Sequence, residues 1–244
     1  MRSPPHRSHD HGRPSGPCRT GFGHRFGIVY HRAVAVKAVI TDWGGVLTSP
    51  LNEAVATWLA ADRIDAERYG VVMREWVSQA YEGSGQNPIH GLEDGSLAPE
   101  EFERLLAAEL HTVDGGPVTA TGLIARMFGA FAPVEPMYAA LRTVRAAGAR
   151  VALLSNSWGN DYPRDLFADL FDAVVISSEV GMRKPDEQIF RHALELLGLD
   201  PAECVFIDDI DHNIRAATTL GMLGIHHTST DATVAELRDL GLHP

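Results

Sequence analysis

Five short apolar runs divide the chain from Ala35 onward, and each has the length of a buried β-strand. The first lies within residues 36–40 and leads into Asp42, and the pair Gly44-Gly45 stops it. The other runs are 150–154, 173–176, 204–207 and, with a weaker pattern, 223–226. Because the runs are continuous rather than alternating, they predict strands buried on both faces, as in a parallel sheet.

Between these runs, apolar residues recur at the spacing of an α-helix. One helix is predicted to turn Met137, Ala140, Leu141 and Val144 inward, with Pro136 near its start and Gly148 past its end. Another follows Lys184 and is predicted to turn Ile189, Ala193, Leu196 and Leu197 inward, with Gly198 as its stop. Strands that alternate with helices predict an α/β fold with a doubly wound parallel sheet, whose ligand site lies beyond the carboxyl ends of the strands.

Residues 52–132 interrupt the alternation of strands and helices, because their pattern is almost purely helical. The pattern includes an apolar stripe of Phe102, Leu105, Leu106 and Leu110. The predicted domains are therefore an α/β core of residues 34–51 and 133–244, and a helical cap of residues 52–132. Because the insert follows directly after Asp42, it is well placed to cover the site as a lid. A packed helical subdomain without gating is the alternative.

Residues 1–33 mix Pro, Gly, Ser, Arg and five His without a period of 2 or 3.6. This composition is typical of a disordered extension. The segment can alternatively be interpreted as a basic arm that binds an anionic surface, or as a His-rich segment that binds a metal.

The remaining chain is acidic, because the net charge of −11 includes a basic segment 1–33 with six Arg and one Asp. This balance argues against nucleic acid as a partner. No apolar run approaches the roughly 20 residues that span a bilayer, and the start lacks a signal-peptide pattern, so we expect a cytoplasmic protein with no membrane partner. Cys18 and Cys204 predict neither a disulfide nor a zinc site. The sequence gives no indication of the oligomeric state.

Polar residues stand at or just after the ends of four predicted strands. In chain order they are Asp42, Ser155-Asn156, Lys184 and Asp208-Asp209. Each is unremarkable alone, because an Asp at a strand end is often a helix cap and paired acids are usually solvated. Together they converge on one crevice of a parallel sheet, and this coincidence predicts a functional site.

The set fits phosphoryl transfer, which needs a nucleophile, a cation held by carboxylates and donors for phosphate oxygens. Asp42 can attack phosphorus and form an aspartyl-phosphate. Asp42 and Asp209 supply the hard oxygen ligands that Mg²⁺ prefers. Ser155 and the backbone of Ser155-Asn156 can donate to phosphate oxygens, and Lys184 neutralises charge.

The stretches AVITDWGGVLT, LLSNS, GMRKPDEQIF and FIDDIDHN resemble, in the same order, the four motifs of the haloacid dehalogenase-like superfamily. The insert resembles the cap of the subclass that carries it after the first motif, and LEDGSLAPEEF resembles a recurring segment of that cap. The resemblance implies a Mg²⁺-dependent phosphatase that acts on a small phosphate ester. By position it implies Asp42 as nucleophile, Ser155 and Lys184 as phosphate ligands, Asp209 and the Gly44 carbonyl as metal ligands, and Asp208 and Asn213 as supports.

One position departs from that pattern: most phosphatases of the superfamily have a second Asp, the general acid, where this chain has Gly44. General acid catalysis is worth about 10²–10⁴ in rate. We therefore expect a substrate with a good leaving group, such as a sugar 1-phosphate, an acyl phosphate or an aryl phosphate, or a proton supplied by the lid or the substrate.

Two alternatives remain open, a 2-haloacid dehalogenase and a catalytically silent binding protein, and a third, a response-regulator receiver, does not fit the order of the acids. A 2-haloacid dehalogenase also uses an Asp and lacks the second one, but it needs no metal, which would leave Asp208-Asp209 uncompensated. A catalytically silent binding protein with this fold would be expected to lose its costly charges first. A response-regulator receiver carries its paired acids at the first strand rather than the fourth.

Aromatic and polar residues near the predicted site are further candidates for substrate contact. Trp43 is predicted to form a wall of the site, because it directly follows Asp42. The other candidates are Arg74, Trp76, Tyr81, Asn87, His90 and Trp158. For the lid aromatics, packing is the simpler expectation, and for His90 a place in a polar loop.

Overall fold

The structure is a computed structural model, and it describes residues 35–82, 87–159 and 161–244. The segment 1–33 that the sequence predicts to be disordered lies outside this part of the chain. All five predicted strands are present. They are β1 (Ala38–Thr41), β2 (Arg150–Ser155), β3 (Ala173–Ile176), β4 (Cys204–Asp208) and β5 (Leu223–His226).

The strands form one parallel sheet in the order β3-β2-β1-β4-β5. The central strand is β1, where Ala38 pairs with Arg150 on one side and with Cys204 on the other. The Asp42 amide donates to the Ile207 carbonyl at 2.8 Å, which continues the ladder one residue beyond β1. This pairing fixes Asp42 at the carboxyl edge of the sheet.

The helices are α1 (Leu51–Ala61), α2 (Ala66–Glu82), α3 (Pro88–Asp94), α4 (Pro99–Glu109), α5 (Leu123–Phe128), α6 (Glu135–Ala146), α7 (Arg164–Phe167), α8 (Ser177–Val180), α9 (Glu187–Leu197), α10 (Asp211–Thr219) and α11 (Thr230–Asp239). A short 3₁₀ helix, Pro201–Glu203, precedes β4. No helix in the described ranges combines the length and apolar character that crossing a membrane requires.

Helices pack on both faces of the sheet, as the alternation of runs predicts. Val39 of β1 belongs to a buried cluster on one face, with Leu141 of α6 and Leu237 of α11. Its neighbour Ile40 belongs to the cluster on the other face, with Phe190 of α9. The doubly wound α/β fold is therefore confirmed.

The helix α9 corrects one prediction, because Leu196 is 53% exposed rather than inward. The buried residues of α9 are Ile189, Phe190, Ala193, Leu194 and Leu197. This set centres the buried face near Phe190 and Leu197, and the 100° step per residue turns Leu196 toward solvent. The predicted inward face of α6 is correct, since Met137, Ala140, Leu141 and Val144 are all buried.

Five helices, α1–α5, lie between β1 and α6, and we call them the inserted helices. They share a buried cluster that includes Trp58, Phe102, Leu106 and Met127. Of the predicted stripe, Phe102 and Leu106 are buried, Leu110 is buried just past the end of α4, and Leu105 is half-buried. An apolar interior of their own explains why these helices form beside the sheet.

Candidate active site

The carboxyl edge of the sheet brings together side chains from three central strands. Asp42 follows β1, Ser155 ends β2 and Asp208 ends β4, with Asp209 next in the chain. Lys184 reaches the same place by a different route, because α8 separates it from β3. A lysine before a proline is usually exposed, but Lys184 is only 2% exposed.

Lys184 is the centre of a buried ion cluster. Its Nζ lies 2.9 Å from Asp42 Oδ1 and 2.7 Å from Asp208 Oδ2, with Asp208 fully buried. The same Nζ lies 5.5 Å from the centroid of the Phe206 ring, within the range of a cation–π contact. Such a cluster is tolerated because each charge has a partner, whereas an unpaired buried charge is very costly.

The cluster still carries more negative than positive groups, and this imbalance appears in the pKa values. Burial raises the pKa of Asp42 to about 7. The positive charge of Lys184 opposes this shift, and the negative charges of Asp208 and Asp209 add to it. Burial, followed by the charge of Asp208, also raises the pKa of Asp209. Burial disfavours the charged Lys184, but Asp208 and Asp42 outweigh it and raise its pKa. A further positive charge would therefore be stabilised beside the carboxylates.

The donor set fits a hard divalent cation. Asp42, Asp208 and Asp209 each offer a carboxylate oxygen, and the three oxygens lie within 4.8 Å of one another. Oxygen-only ligands suit Mg²⁺ or Ca²⁺ rather than zinc. The Gly44 carbonyl accepts no hydrogen bond from another described backbone amide, and Gly44 lines the same cavity, so this carbonyl is available as a further oxygen ligand. The residues present therefore fit the predicted metal.

Two adjacent glycines have opposite surroundings here. A Cβ added to Gly45 would lie 2.4 Å from Asp209 Oδ2, and Gly45 has a left-handed φ of +73°. A Cβ added to Gly44 would meet no atom within 4 Å. Gly45 thus lets the backbone approach Asp209 closely, and Gly44 leaves open space in the cavity at the position where the resemblance places an acid.

Ser155 and Asn156 differ in how their side chains are used. Ser155 is buried, and its Oγ lies 3.0 Å from the Tyr162 hydroxyl. Burial raises the pKa of Tyr162 to about 12, so this hydroxyl stays protonated at neutral pH. The Asn156 side chain accepts from the Lys184 amide at 2.8 Å and donates to the Lys184 carbonyl at 3.0 Å. Asn156 therefore holds the backbone of Lys184.

Asp208 is held by donors on both of its oxygens. Asn213 Nδ2 lies 3.1 Å from each oxygen, and the Ile210 amide donates to Oδ1 at 2.8 Å. Together with Lys184, these contacts fix the Asp208 side chain, which does not line the cavity. The structure thus brings Asn213 into contact with Asp208, the pair to which the resemblance assigns a supporting role.

The ion cluster forms the floor of a cavity of about 110 Å³. The floor residues that line it are Asp42, Gly44, Ser155, Asn156, Lys184, Asp209 and Asn213. The walls are mostly apolar and consist of Trp43, Leu51, Phe128, Phe131, Trp158 and Ile210. Trp43 is 7% exposed and packs against Phe131 and Tyr162, with ring centroids 5.6 and 4.8 Å apart. Trp43 therefore lines the wall of the cavity beside Asp42.

One acid in the cavity, Glu93 of α3, was not among the predicted site residues. It receives long contacts of 3.4 Å from Trp158 Nε1 and from Arg183. Burial, opposed mainly by Arg183, raises the pKa of Glu93. Its backbone carbonyl accepts from the buried Ser177 hydroxyl of α8. The signal that the sequence offered was the place of Glu93 in LEDGSLAPEEF, the segment that resembles a recurring part of the cap.

Four of the other lid candidates, Arg74, Trp76, Asn87 and His90, do not line this cavity, and the side chain of Tyr81 lies outside the described part of the chain. Trp76 packs edge-on against Phe102, with ring centroids 5.7 Å apart, as expected for a packing residue. Asn87 caps α3 by accepting from the Ile89 amide at 2.9 Å. His90 lies in α3 rather than in a loop, and its Nδ1 is 3.2 Å from Arg183. Arg74 is exposed on α2.

The sequence profile of haloacid dehalogenase-like hydrolases matches residues 36–221. A sesquiterpene phosphatase of Aspergillus oryzae is 30% identical over 208 residues, which cover 84% of this chain and 96% of that protein. A phosphatase of Mycobacterium tuberculosis is 26% identical over 220 residues, covering 85% and 96% respectively.

Solved structures with a similar fold include a magnesium complex and a covalently modified enzyme. A Bacteroides thetaiotaomicron enzyme of the same family, in its magnesium complex, is 25% identical with a TM-score of 0.53, covering 79% of this chain and 93% of that one. The L-2-haloacid dehalogenase of Xanthobacter autotrophicus, with chloropropionic acid covalently bound, is 20% identical with a TM-score of 0.54, covering 86% and 85%. At that identity, the second likeness concerns the fold alone.

Proposed function

The chain belongs to the haloacid dehalogenase-like hydrolase family, and we propose that within this family it is a Mg²⁺-dependent phosphatase that hydrolyses a small phosphate ester through Asp42. The observation that carries this proposal is the buried cluster of Asp42, Lys184, Asp208 and Asp209 at the carboxyl edge of the sheet. Two relatives that match most of the chain are named phosphatases.

In the proposed reaction, an Asp42 carboxylate oxygen attacks phosphorus, and the bond between phosphorus and the leaving oxygen breaks. Water then attacks the aspartyl-phosphate and releases inorganic phosphate. A bound Mg²⁺ would supply positive charge beside the phosphate, held by Asp42, Asp209 and the Gly44 carbonyl. Lys184 neutralises phosphate oxygens and orients Asp42, and Ser155 donates its hydroxyl hydrogen to a phosphate oxygen.

The departing oxygen needs a proton or must be a stable anion, and Gly44 carries no acid. We propose that the substrate has a good leaving group, such as an aryl phosphate, a sugar 1-phosphate or an acyl phosphate. A proton from the substrate or from the inserted helices is the alternative. Equal turnover of alkyl and aryl phosphates, with the chemical step rate-limiting, would contradict the leaving-group proposal.

The walls of the cavity support an apolar organic group on the substrate. Leu51 and Ile210 line the cavity and are 40% and 49% exposed, so an apolar group placed between them would remove apolar surface from water. A relative named a sesquiterpene phosphatase acts, by that name, on an apolar skeleton.

The decisive experiment measures phosphate release from a panel of alkyl, aryl, sugar and isoprenyl phosphates with Mg²⁺ and with a chelator. We expect turnover with Mg²⁺, and loss of it in the chelator and in Asp42→Asn. Circular dichroism is used to check that Asp42→Asn has the same secondary structure as the wild type. Wild-type turnover in Asp42→Asn would refute the mechanism, and chloride release from a 2-haloacid in the chelator would favour a dehalogenase instead.

A further inference from the structure

A second apolar depression lies directly beside the catalytic cavity. It runs along α1 toward α2 and has a volume of about 510 Å³, against about 110 Å³ for the cavity. The two share Leu51 and Asp209 in their linings. We call the depression the α1 groove, and its other lining residues are Pro50, Asn52, Val55, Ala56, Leu59 and Tyr69.

The α1 groove is lined almost entirely by apolar groups. Val55 and Leu59 present aliphatic side chains one helical turn apart on α1, and Tyr69 of α2 lies opposite, its ring packed edge-on against Trp58 at 5.6 Å. Asp209 supplies the only charge among the lining residues. The single charged end of the groove is therefore the end where the cation and the phosphate are proposed to bind.

We propose that the α1 groove binds an extended apolar chain of the substrate, so that the enzyme prefers phosphate monoesters with a long alkyl or isoprenoid-like group. This inference rests on the proposed phosphatase function and adds a second subsite to it. The phosphate occupies the cavity floor, and the chain passes over Leu51 and lies between α1 and α2. Continuity with the catalytic cavity favours a substrate chain over a separate ligand as the occupant.

Chain length is best varied without changing the leaving group, so we would use 4-methylphenyl, 4-butylphenyl and 4-hexylphenyl phosphate. Full burial of a methylene is worth about 0.8 kcal/mol, or roughly fourfold. The groove is open on one side, so we expect roughly twofold per methylene, and kcat/KM about 30-fold higher for the hexyl than for the methyl ester. Equal kcat/KM along the series would overturn the proposal.

Two exposed alanines of α1 offer a matched pair of variants. Ala56 lines the groove, whereas Ala60, one turn further along the helix, does not. Both substitutions, Ala56→Glu and Ala60→Glu, add one negative charge to the same helix. We expect Ala56→Glu to lower the ratio of hexyl to methyl kcat/KM by about tenfold, since a charge would be desolvated by the chain, and Ala60→Glu to keep the wild-type ratio.

A binding measurement separates this inference from the proposed function. Calorimetry of 4-hexylphenol against 4-methylphenol needs no turnover, and we expect the hexyl compound to bind more tightly to the wild type and to Ala60→Glu than to Ala56→Glu. If no ester is hydrolysed but this difference holds, the phosphatase proposal fails and the groove stands. If the two phenols bind alike, or if Ala56→Glu instead dissociates a dimer on gel filtration, the groove proposal fails.

Discussion

Replacing Gly45 with alanine tests whether the loop after β1 is built around close approach to Asp209. The left-handed φ of +73° at Gly45 costs a residue with a Cβ about 1–2 kcal/mol. The new Cβ would also lie 2.4 Å from Asp209 Oδ2 and 2.9 Å from its Cγ, so either the loop or the carboxylate has to move. We therefore expect a loss of stability and a displaced metal ligand.

Two measurements on Gly45→Ala separate these effects. Urea unfolding is expected to give a free energy of unfolding that is lower by at least about 1–2 kcal/mol. Calorimetric titration with Mg²⁺ is expected to give an affinity that is weaker by about 10–100-fold, as for changes that misplace metal ligands.

Gly44→Ala is the matched control, because the added Cβ meets no atom within 4 Å and Gly44 does not have a left-handed φ. We expect its unfolding free energy to stay within about 0.5 kcal/mol of the wild type, with Mg²⁺ affinity unchanged. If Gly45→Ala matched Gly44→Ala in both measurements, the close approach to Asp209 would have no energetic role and the reasoning would be wrong.

Three further predictions follow from the same charges. Lys184→Met leaves Asp42 and Asp208 buried without their partner, so we expect unfolding to be easier by about 3–5 kcal/mol, with part of the loss restored by Mg²⁺ in thermal melts. The pKa of Asp42 is raised from 3.8 to about 7, so its contribution to the stability of the metal-free protein is full below pH 3.8 and is lost as pH rises through 7. Urea midpoints should therefore fall between about pH 4 and about pH 7 more steeply in wild type than in Asp42→Asn, with Mg²⁺ opposing the fall. Parallel profiles would contradict the raised pKa. Gly44→Asp places an acid in open space, and we expect alkyl phosphates to gain about 10²–10⁴ in kcat, a gain that aryl phosphates should not share.

The sequence was sufficient to predict the sheet and the cavity floor, because both follow from local patterns of apolar and polar residues. Continuous apolar runs predict parallel strands, and the carboxyl ends of such strands meet at one edge. Asp42, Ser155 and Asp208 come together for this reason. Helical periodicity was less reliable for single residues, as Leu196 illustrates, because it lies 100° around the helix from Leu197, just beyond the edge of the buried face.

The parts that the sequence did not predict depend on contacts between distant segments. Glu93 enters the cavity because α3 packs against α8, and no spacing within the insert encodes that contact. Tyr162 reaches Ser155 through the fold of a loop without regular structure. The sequence predicted Lys184 at the site but not its nearly complete burial, which depends on one hydrogen bond accepted and one donated by the Asn156 side chain and on the paired carboxylates.

The packing of α3 also limits how the inserted helices can act as a lid. Glu93 is tied to the core by the Ser177 hydroxyl and by Arg183, and the Arg183 side chain also contacts His90. A Cβ on Gly95 would lie 2.7 Å from the Ser178 carbonyl, so α3 ends in close backbone contact with α8. Lifting all five helices together would expose these buried polar contacts at once. We therefore expect any opening of the cavity to leave α3 on the core and to occur at Leu51, where the α1 groove and the cavity meet.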